Sequence, residues 1–253
     1  MVRFNFTQEM KAAEAELLAE GELVRQQVGA VMTALVKRDA SLAEKVIEDD
    51  DRIDESYLST ESRILNLIAL QAPVASDLRL ISALLHCNGH LERMGDLCVN
   101  IAKFVSNQMP YPTDSPMIDT LEEMARQVGD MLETALAAFS ERSVELAEEL
   151  PVKDNVVDVL NRRVLEQLKV YVGDEESFIW AGNLLLVARY VERLGDHAVD
   201  LAEQAAFLVS GVFREFADAS HPEIEAQLAD AAGTSGEGVA LGAEQDEPSA
   251  RGE

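Results

Sequence analysis

The chain repeats one short pattern in its two halves, LERMGD at residues 91–96 and VERLGD at residues 191–196. Each copy places a glutamate and an aspartate four positions apart, and on a helix such residues share one face because they lie about 40° apart around its axis. A pattern that recurs in this way indicates an internal repeat. The sequence therefore predicts two similar halves with a carboxylate site in each. The four acids are Glu92, Asp96, Glu192 and Asp196.

Hydrophobic periodicity predicts helices along almost the whole chain. Pro151 is expected to kink or divide the fifth of them. Three helices in each half make the predicted fold all-α, with two tandem, pseudo-symmetric three-helix bundles. The predicted helices span about 7–36, 41–70, 76–107, 117–139, 143–170 and 175–213.

The domain boundaries follow from changes in composition. We place the first three-helix repeat at residues 1–109, a proline-rich linker at 110–116 and the second repeat at 117–215. The remainder, 216–253, is rich in small and acidic residues and poor in large apolar ones, which is typical of disorder. The sequence therefore predicts a disordered acidic C-terminal tail.

Composition limits the function classes. The net charge of −26 argues against a nucleic-acid-binding protein, because phosphate binding requires a basic face. The two cysteines, Cys87 and Cys98, lie on one predicted helix and cannot pair there, which favours a reducing compartment. No apolar run approaches the roughly 18 residues of a spanning helix, and the N-terminus lacks the apolar region of a signal peptide. We expect a cytoplasmic protein without direct membrane insertion.

A second acidic pair precedes each copy of the repeat. Asp50 and Asp54 lie on the predicted second helix, and Asp154 and Asp158 lie on the fifth. Within each half, the two pairs are equally far along the chain from the predicted loop between them, so antiparallel packing would bring them to one height. Four converging carboxylates repel unless cations neutralise them. Oxygen donors suit iron, manganese, magnesium or calcium, and zinc also accepts them, so we expect a metal site in each half.

The acids also have a simpler interpretation. Acidic pairs four apart are common on solvated helix faces, and each copy of the repeat has an arginine beside its glutamate. The histidines project elsewhere: His86 and His90 lie roughly 120–160° from the acidic face, and His197 is turned away in a similar manner. We expect polar-face or helix-contact roles for these histidines rather than metal binding.

The motifs resemble those of the PhoU family of phosphate-transport regulators. The similarity covers about residues 1–215 and implies metal clusters, usually of iron or zinc, with magnesium or manganese as alternatives. It is carried by VIEDD at 46–50, QAPVASDLR at 71–79 and the two repeated motifs. The ligands that it implies are Asp50, Asp54, Glu92, Asp96, Asp154, Asp158, Glu192, Asp196 and Asp200.

The same resemblance implies a function. Members of this family restrain a high-affinity phosphate ABC transporter and relay phosphate sufficiency to a sensor histidine kinase, by protein contact rather than catalysis and commonly as homodimers. For this chain it implies a non-enzymatic negative regulator whose partners are the ATPase subunit of the transporter and the kinase. Asn100 stands where the second half has Asp200, so the first site is expected to be weaker or differently filled.

Three alternatives remain open at the level of sequence. A di-metal carboxylate oxidase builds its site from Glu-x-x-His motifs in a helical bundle, and the acidic faces here contain none. A purely structural bundle would carry the acids without metal. A regulator of a different phosphate carrier would share the fold and the sites. Metal analysis and oxygen consumption by the iron-loaded protein distinguish the first two from a regulator.

Overall fold

The first half of the chain forms a three-helix bundle whose second helix is interrupted. A computed structural model describes residues 2–106 and 115–216, and within these ranges the chain is helical and contains no strands, which confirms the all-α class. The helices of this half are α1 (Val2–Lys37), α2 (Ala40–Asp49), α3 (Asp51–Gln71) and α4 (Ser76–Ser106).

The second half repeats this order, so the tandem, pseudo-symmetric arrangement is confirmed. Its middle helix is again interrupted, here into two helices and a 3-10 turn. Its elements are α5 (Pro116–Glu141), α6 (Val144–Ala147), α7 (Leu150–Gln167), the 3-10 turn (Leu168–Tyr171) and α8 (Glu175–Ser210).

The two interruptions differ in kind: the first lies at a predicted ligand, Asp50, and the second lies at the proline. Asp50 separates α2 from α3 but keeps helical dihedral angles (φ −63°, ψ −33°), so that break is slight. Its carbonyl oxygen accepts hydrogen bonds from the amides of Ile53 and Asp54 at 2.8 and 3.1 Å, which start the new helix. Pro151 divides the middle helix of the second half, as predicted. It lies in the first turn of α7, where the N–H that proline lacks would have had no partner within the helix.

Side-chain caps fix where the interrupted helices begin. The Asp39 carboxylate accepts a hydrogen bond from the Leu42 amide at 3.0 Å, and the Ser143 hydroxyl accepts one from the Leu146 amide at 3.2 Å. Such caps satisfy amides that have no partner within the helix. Because they stand at corresponding points, they start the middle helix of each bundle in the same way.

The two bundles share one core. In the first, α1 packs against α2, α3 and α4, and in the second α5 packs against α7 and α8. The bundles meet where α4 packs against α8 and α1 against α5, and residues up to Phe216 form one compact unit. Cys87 and Cys98 are buried and free, as expected. Within the described ranges, no helix has the length and apolarity required to cross a membrane.

Two predictions fall largely outside the described residues. The predicted linker, 110–116, is described only at Ser115 and Pro116, which already begin α5. The predicted disordered tail, 216–253, is described only at Phe216.

Candidate functional site

The acids of the first half converge where the α2–α3 break faces α4. Asp50 and Asp54 lie at the break, and Glu92 and Asp96 lie on α4. We call these four residues the first acidic cluster. Burial raises the pKa of Glu92, and the charges of Asp96 and Asp54 raise it further. The structure thus brings the two acidic pairs of this half into electrostatic contact.

A glutamine from α1 holds the Asp50 carboxylate. Gln27, which is only 6% exposed, donates from Nε2 to Asp50 Oδ1 at 3.0 Å and to the Val46 carbonyl oxygen at 3.2 Å. Burial raises the pKa of Asp50; the Gln27 hydrogen bond opposes that rise, and the charges of Asp54 and Asp96 add to it. Hydrogen bonds of this kind orient a carboxylate for a metal. Gln27 was not among the predicted site residues, because a single glutamine on α1 belongs to no repeated motif.

The glycine of each repeated motif makes room for an aspartate of the neighbouring helix. A Cβ atom on Gly95 would lie 2.8 Å from Asp50 Oδ1, and one on Gly195 would lie 3.1 Å from Asp154 Oδ1. Both distances are shorter than ordinary van der Waals contact. A glycine inside a helix costs about 0.5–1 kcal/mol relative to alanine, so its presence in both motifs requires a reason, and the close approach provides one. The sequence signal for this role was the shared glycine itself.

Replacement of Gly95 by alanine is expected to displace the Asp50 carboxylate and weaken cation binding at the first acidic cluster. A gain in helix propensity of about 0.5–1 kcal/mol offsets part of the steric cost, so metal affinity should change more than stability. Gly89→Ala is the matched control, since a Cβ there meets no atom of the described residues within 4 Å. Calorimetric cation titration, with thermal unfolding in chelator, checks both effects. Equal cation affinity in the two variants would contradict the steric role.

The second half repeats the arrangement with Asp154 and Asp158 on α7 and with Glu192 and Asp196 on α8. We call these four residues the second acidic cluster. Burial raises the pKa of Glu192 to about 7, and the charge of Asp196 contributes to the rise. Glu192 is 8% exposed, and its Oε2 has no hydrogen-bond partner within the described residues. An unpaired buried carboxylate oxygen is costly, and a bound cation would satisfy it.

An arginine distinguishes the two clusters. Arg189 forms an ion pair with Glu192 and opposes the rise of the Glu192 pKa. The corresponding position in the first half is Gly89. The first acidic cluster therefore lacks this ion pair, so the two clusters differ in charge although each has the same four types of acid on two neighbouring helices.

Asp200, predicted as a ligand of the second site, lies with two histidines between α4 and α8. Its Oδ2 is 3.2 Å from His90 Nδ1 and 3.4 Å from His197 Nδ1, and the two Nδ1 atoms are 3.1 Å apart. The helix contact expected for the histidines is present, since His90 and His197 join helices of different halves. The projection of a single helix could not predict the contact between His90 and His197, because it gives no information about which faces of two helices pack against each other.

Donor spacing separates this group from the acidic clusters. Within residues 2–106 and 115–216, only His90, His197 and Asp200 place three donor atoms within 4.8 Å of one another. The acidic oxygens are more widely spaced, so a cation there requires side-chain rotation, bridging water or more than one ion. The donor type nevertheless fits hard cations, which prefer carboxylate oxygens.

Comparison with known proteins gives two matches to one domain family. The family model described as the PhoU domain matches residues 17–105 and again residues 121–205. A phosphate-specific transport system accessory protein PhoU homolog from Clostridium acetobutylicum is 32% identical over 83% of this chain and 97% of its own length. A PhoU homolog 1 of the same description from Methanothermobacter thermautotrophicus is 34% identical over 70% of this chain and 81% of its own length.

Solved structures share the fold. The crystal structure of PhoU from Pseudomonas aeruginosa covers 82% of this chain and 100% of its own, with a TM-score of 0.76 and 30% identity. The phosphate transport system regulatory protein PhoU from Streptococcus pneumoniae covers 83% of this chain and 100% of its own, with a TM-score of 0.74 and 26% identity. Both acidic clusters fall inside the two ranges that match the family model.

Proposed function

The chain belongs to the PhoU family, and on that premise we propose that it is a cytoplasmic negative regulator of high-affinity phosphate uptake and phosphate-starvation signalling. The observation that carries the proposal is the extent of the match. The family domain covers both halves, and the Clostridium relative, whose name is that of a transport accessory protein, is matched over 97% of its length. Such a regulator acts by contact rather than by turnover, so we propose no enzymatic activity.

We propose that the two acidic clusters hold metal ions, iron or zinc, with magnesium or manganese as alternatives. The support is the raised pKa of Asp50, Glu92 and Glu192, which burial causes first and neighbouring acids increase. Cations would relieve this repulsion and make the ionised forms stable. The proposed ligands are Asp50, Asp54, Glu92 and Asp96 in the first cluster and Asp154, Asp158, Glu192 and Asp196 in the second.

We propose that exposed apolar faces of α3 and α7 contact the partners, which are the ATPase subunit of a phosphate ABC transporter, a sensor histidine kinase and a second copy in a homodimer. Leu58 and Leu65 lie seven positions apart on one face of α3 and are 60% and 53% exposed. Val156 and Val159 on α7 are 41% and 44% exposed. Large apolar side chains grouped on a protein surface are typical of interaction sites.

The domain boundaries form part of the same proposal. We propose two repeats, at 1–109 and 117–215, with the linker 110–116 between them and the tail 216–253 after them. Each repeat would supply one metal cluster and one apolar face. The two-fold match to the family domain supports this division.

Cells that lack the protein are expected to express phosphate-starvation genes in phosphate-rich medium, and a plasmid copy is expected to restore repression. Leu65→Glu should lose repression and the capture of transporter or kinase subunits, because it places a charge on the apolar face of α3. Asn66→Glu is the matched control, since it adds the same charge at the next, exposed position. A starvation-gene reporter and affinity capture from phosphate-rich cells measure the two effects. Capture of neither partner by the native full-length protein would overturn the adaptor role.

A further inference from the structure

We propose that His90, His197 and Asp200 form a third metal site, which binds one divalent transition-metal ion between the two bundles. His90 lies on α4, whereas His197 and Asp200 lie on α8. A metal bound to all three would join the halves of the molecule directly. This site is separate from the two acidic clusters and uses a different donor set.

The three donor atoms already stand at the spacing of a metal coordination sphere. Zinc–nitrogen bonds of about 2.0–2.1 Å and similar zinc–oxygen bonds place neighbouring donors about 3.3 Å apart in a tetrahedral site and about 2.9 Å apart in an octahedral one. The observed separations are 3.1 Å between the two Nδ1 atoms, 3.2 Å from His90 Nδ1 to Asp200 Oδ2 and 3.4 Å from His197 Nδ1 to the same oxygen. The triangle therefore has the size that a first-row ion requires.

Hydrogen bonds and a bound cation use this triangle differently. Each Nδ1 offers a single in-plane position, which is either an N–H or a lone pair. An Nδ1–H of one histidine can donate either to the other Nδ1, at 3.1 Å, or to the Asp200 carboxylate. A cation at the centre accepts all three lone pairs at once.

The surroundings shield the histidines and leave the carboxylate at the rim. The side chains of His90 and His197 are 19% and 10% exposed, whereas that of Asp200 is 41% exposed. An ion can therefore enter from the Asp200 side, and water can complete its coordination there. Two imidazoles with one carboxylate favour zinc, iron(II) or cobalt(II) over magnesium and calcium, which prefer oxygen donors.

The internal repeat provides a built-in comparison. The positions equivalent to His90, His197 and Asp200 in the opposite halves are Tyr190, Leu97 and Asn100. Leucine offers no donor atom, and tyrosine and asparagine are poor ligands for these ions. These equivalent positions therefore cannot form a second copy of the site, whereas each half has its own acidic cluster.

Cobalt(II) titration of the chelator-treated full-length protein tests the proposal. Cobalt held by nitrogen at low coordination number absorbs visible light far more strongly than cobalt in an all-oxygen octahedral site, so the spectrum reports this site separately from the acidic clusters. We expect one equivalent with strong absorption in the native protein, and its loss in His90→Gln, His197→Gln and Asp200→Asn. His86→Gln on the exposed side of α4 and Asp158→Asn in the second acidic cluster should both retain it.

Thermal unfolding with and without zinc provides the second measurement. Zinc at low stoichiometry should raise the unfolding temperature of the native protein and of His86→Gln, but should raise that of His90→Gln less. Unfolding without metal shows whether each variant is folded, and Asp200→Asn, at the rim, is the variant least expected to disturb packing. Strong absorption that persists in His90→Gln and Asp200→Asn, or that disappears equally in His86→Gln, would overturn the proposal. Loss of the band in Asp158→Asn would assign it to the acidic cluster instead.

Discussion

At pH 9, the Glu20→Gln variant of the metal-free protein is expected to be more stable than the native protein by several kcal/mol, whereas below pH 4.5 the two should be nearly equal. Glu20 is completely buried on α1. Burial raises its pKa from 4.5 to about 8; the Ser56 side chain opposes this rise, and the charge of Glu92 adds to it. Because each pKa unit corresponds to about 1.4 kcal/mol, the ionised carboxylate strongly destabilises the folded state.

The sign follows from proton linkage. The folded state holds the Glu20 proton more tightly than the unfolded chain does, so the stabilisation from that proton is complete below about pH 4.5 and is lost as the pH rises through about 8. Glutamine keeps the neutral form at every pH. Urea unfolding between pH 4 and pH 9, in the presence of chelator, measures the difference. Glu44→Gln, at an exposed position on α2, is the control. A stability difference for Glu20→Gln that does not grow with pH would refute the linkage.

Replacement of Trp180 by alanine is expected to cost about 3–5 kcal/mol of folding stability. Trp180 is fully buried on α8 and is the largest such side chain in the described ranges. Its ring meets that of Tyr171 edge-on, with centroids 5.5 Å apart, and the Tyr171 hydroxyl shares a 2.8 Å hydrogen bond with Ser115. The cavity would therefore loosen the point where α8, the 3-10 turn and the start of α5 meet.

Phe178→Ala is the matched control for Trp180→Ala. Phe178 lies two residues earlier on the same helix and is 42% exposed, so its removal opens no enclosed cavity and should cost much less. Chemical denaturation of both variants gives the two free energies of unfolding. Similar losses in the two variants would show that the Trp180 site collapses without a cavity.

The acidic clusters show how far helix geometry can be used without a structure. Residues four apart share a helix face in any helix, and equal distances from a loop place two pairs at one height in any antiparallel pair of helices. Those two rules were sufficient to bring Asp50 and Asp54 together with Glu92 and Asp96. The break at Asp50 was not predicted because no proline or glycine marks it in the sequence. The break is also slight, since the dihedral angles of Asp50 remain helical.

Contacts between elements were the part that sequence patterns could not supply. Gln27 reaches Asp50 from α1, and Glu20 is fully buried where the charge of Glu92 raises its pKa, although each is a single polar residue in a long helix. A polar residue on a helix is compatible with either solvent or a buried partner, and only the packing of neighbouring helices decides between them.

The sequence by itself determined the helical class, the duplication and the pairing of acids within each half, because these depend on local periodicity and on spacing along one chain. Only the tertiary structure decided how the halves meet. The packing of α4 against α8 placed His90 beside His197 and directed Asp200 toward both, across a separation of 107 residues between the histidines. Periodicity determines which residues share a face of one helix, but side-chain packing in the common core selects which face of another helix it meets.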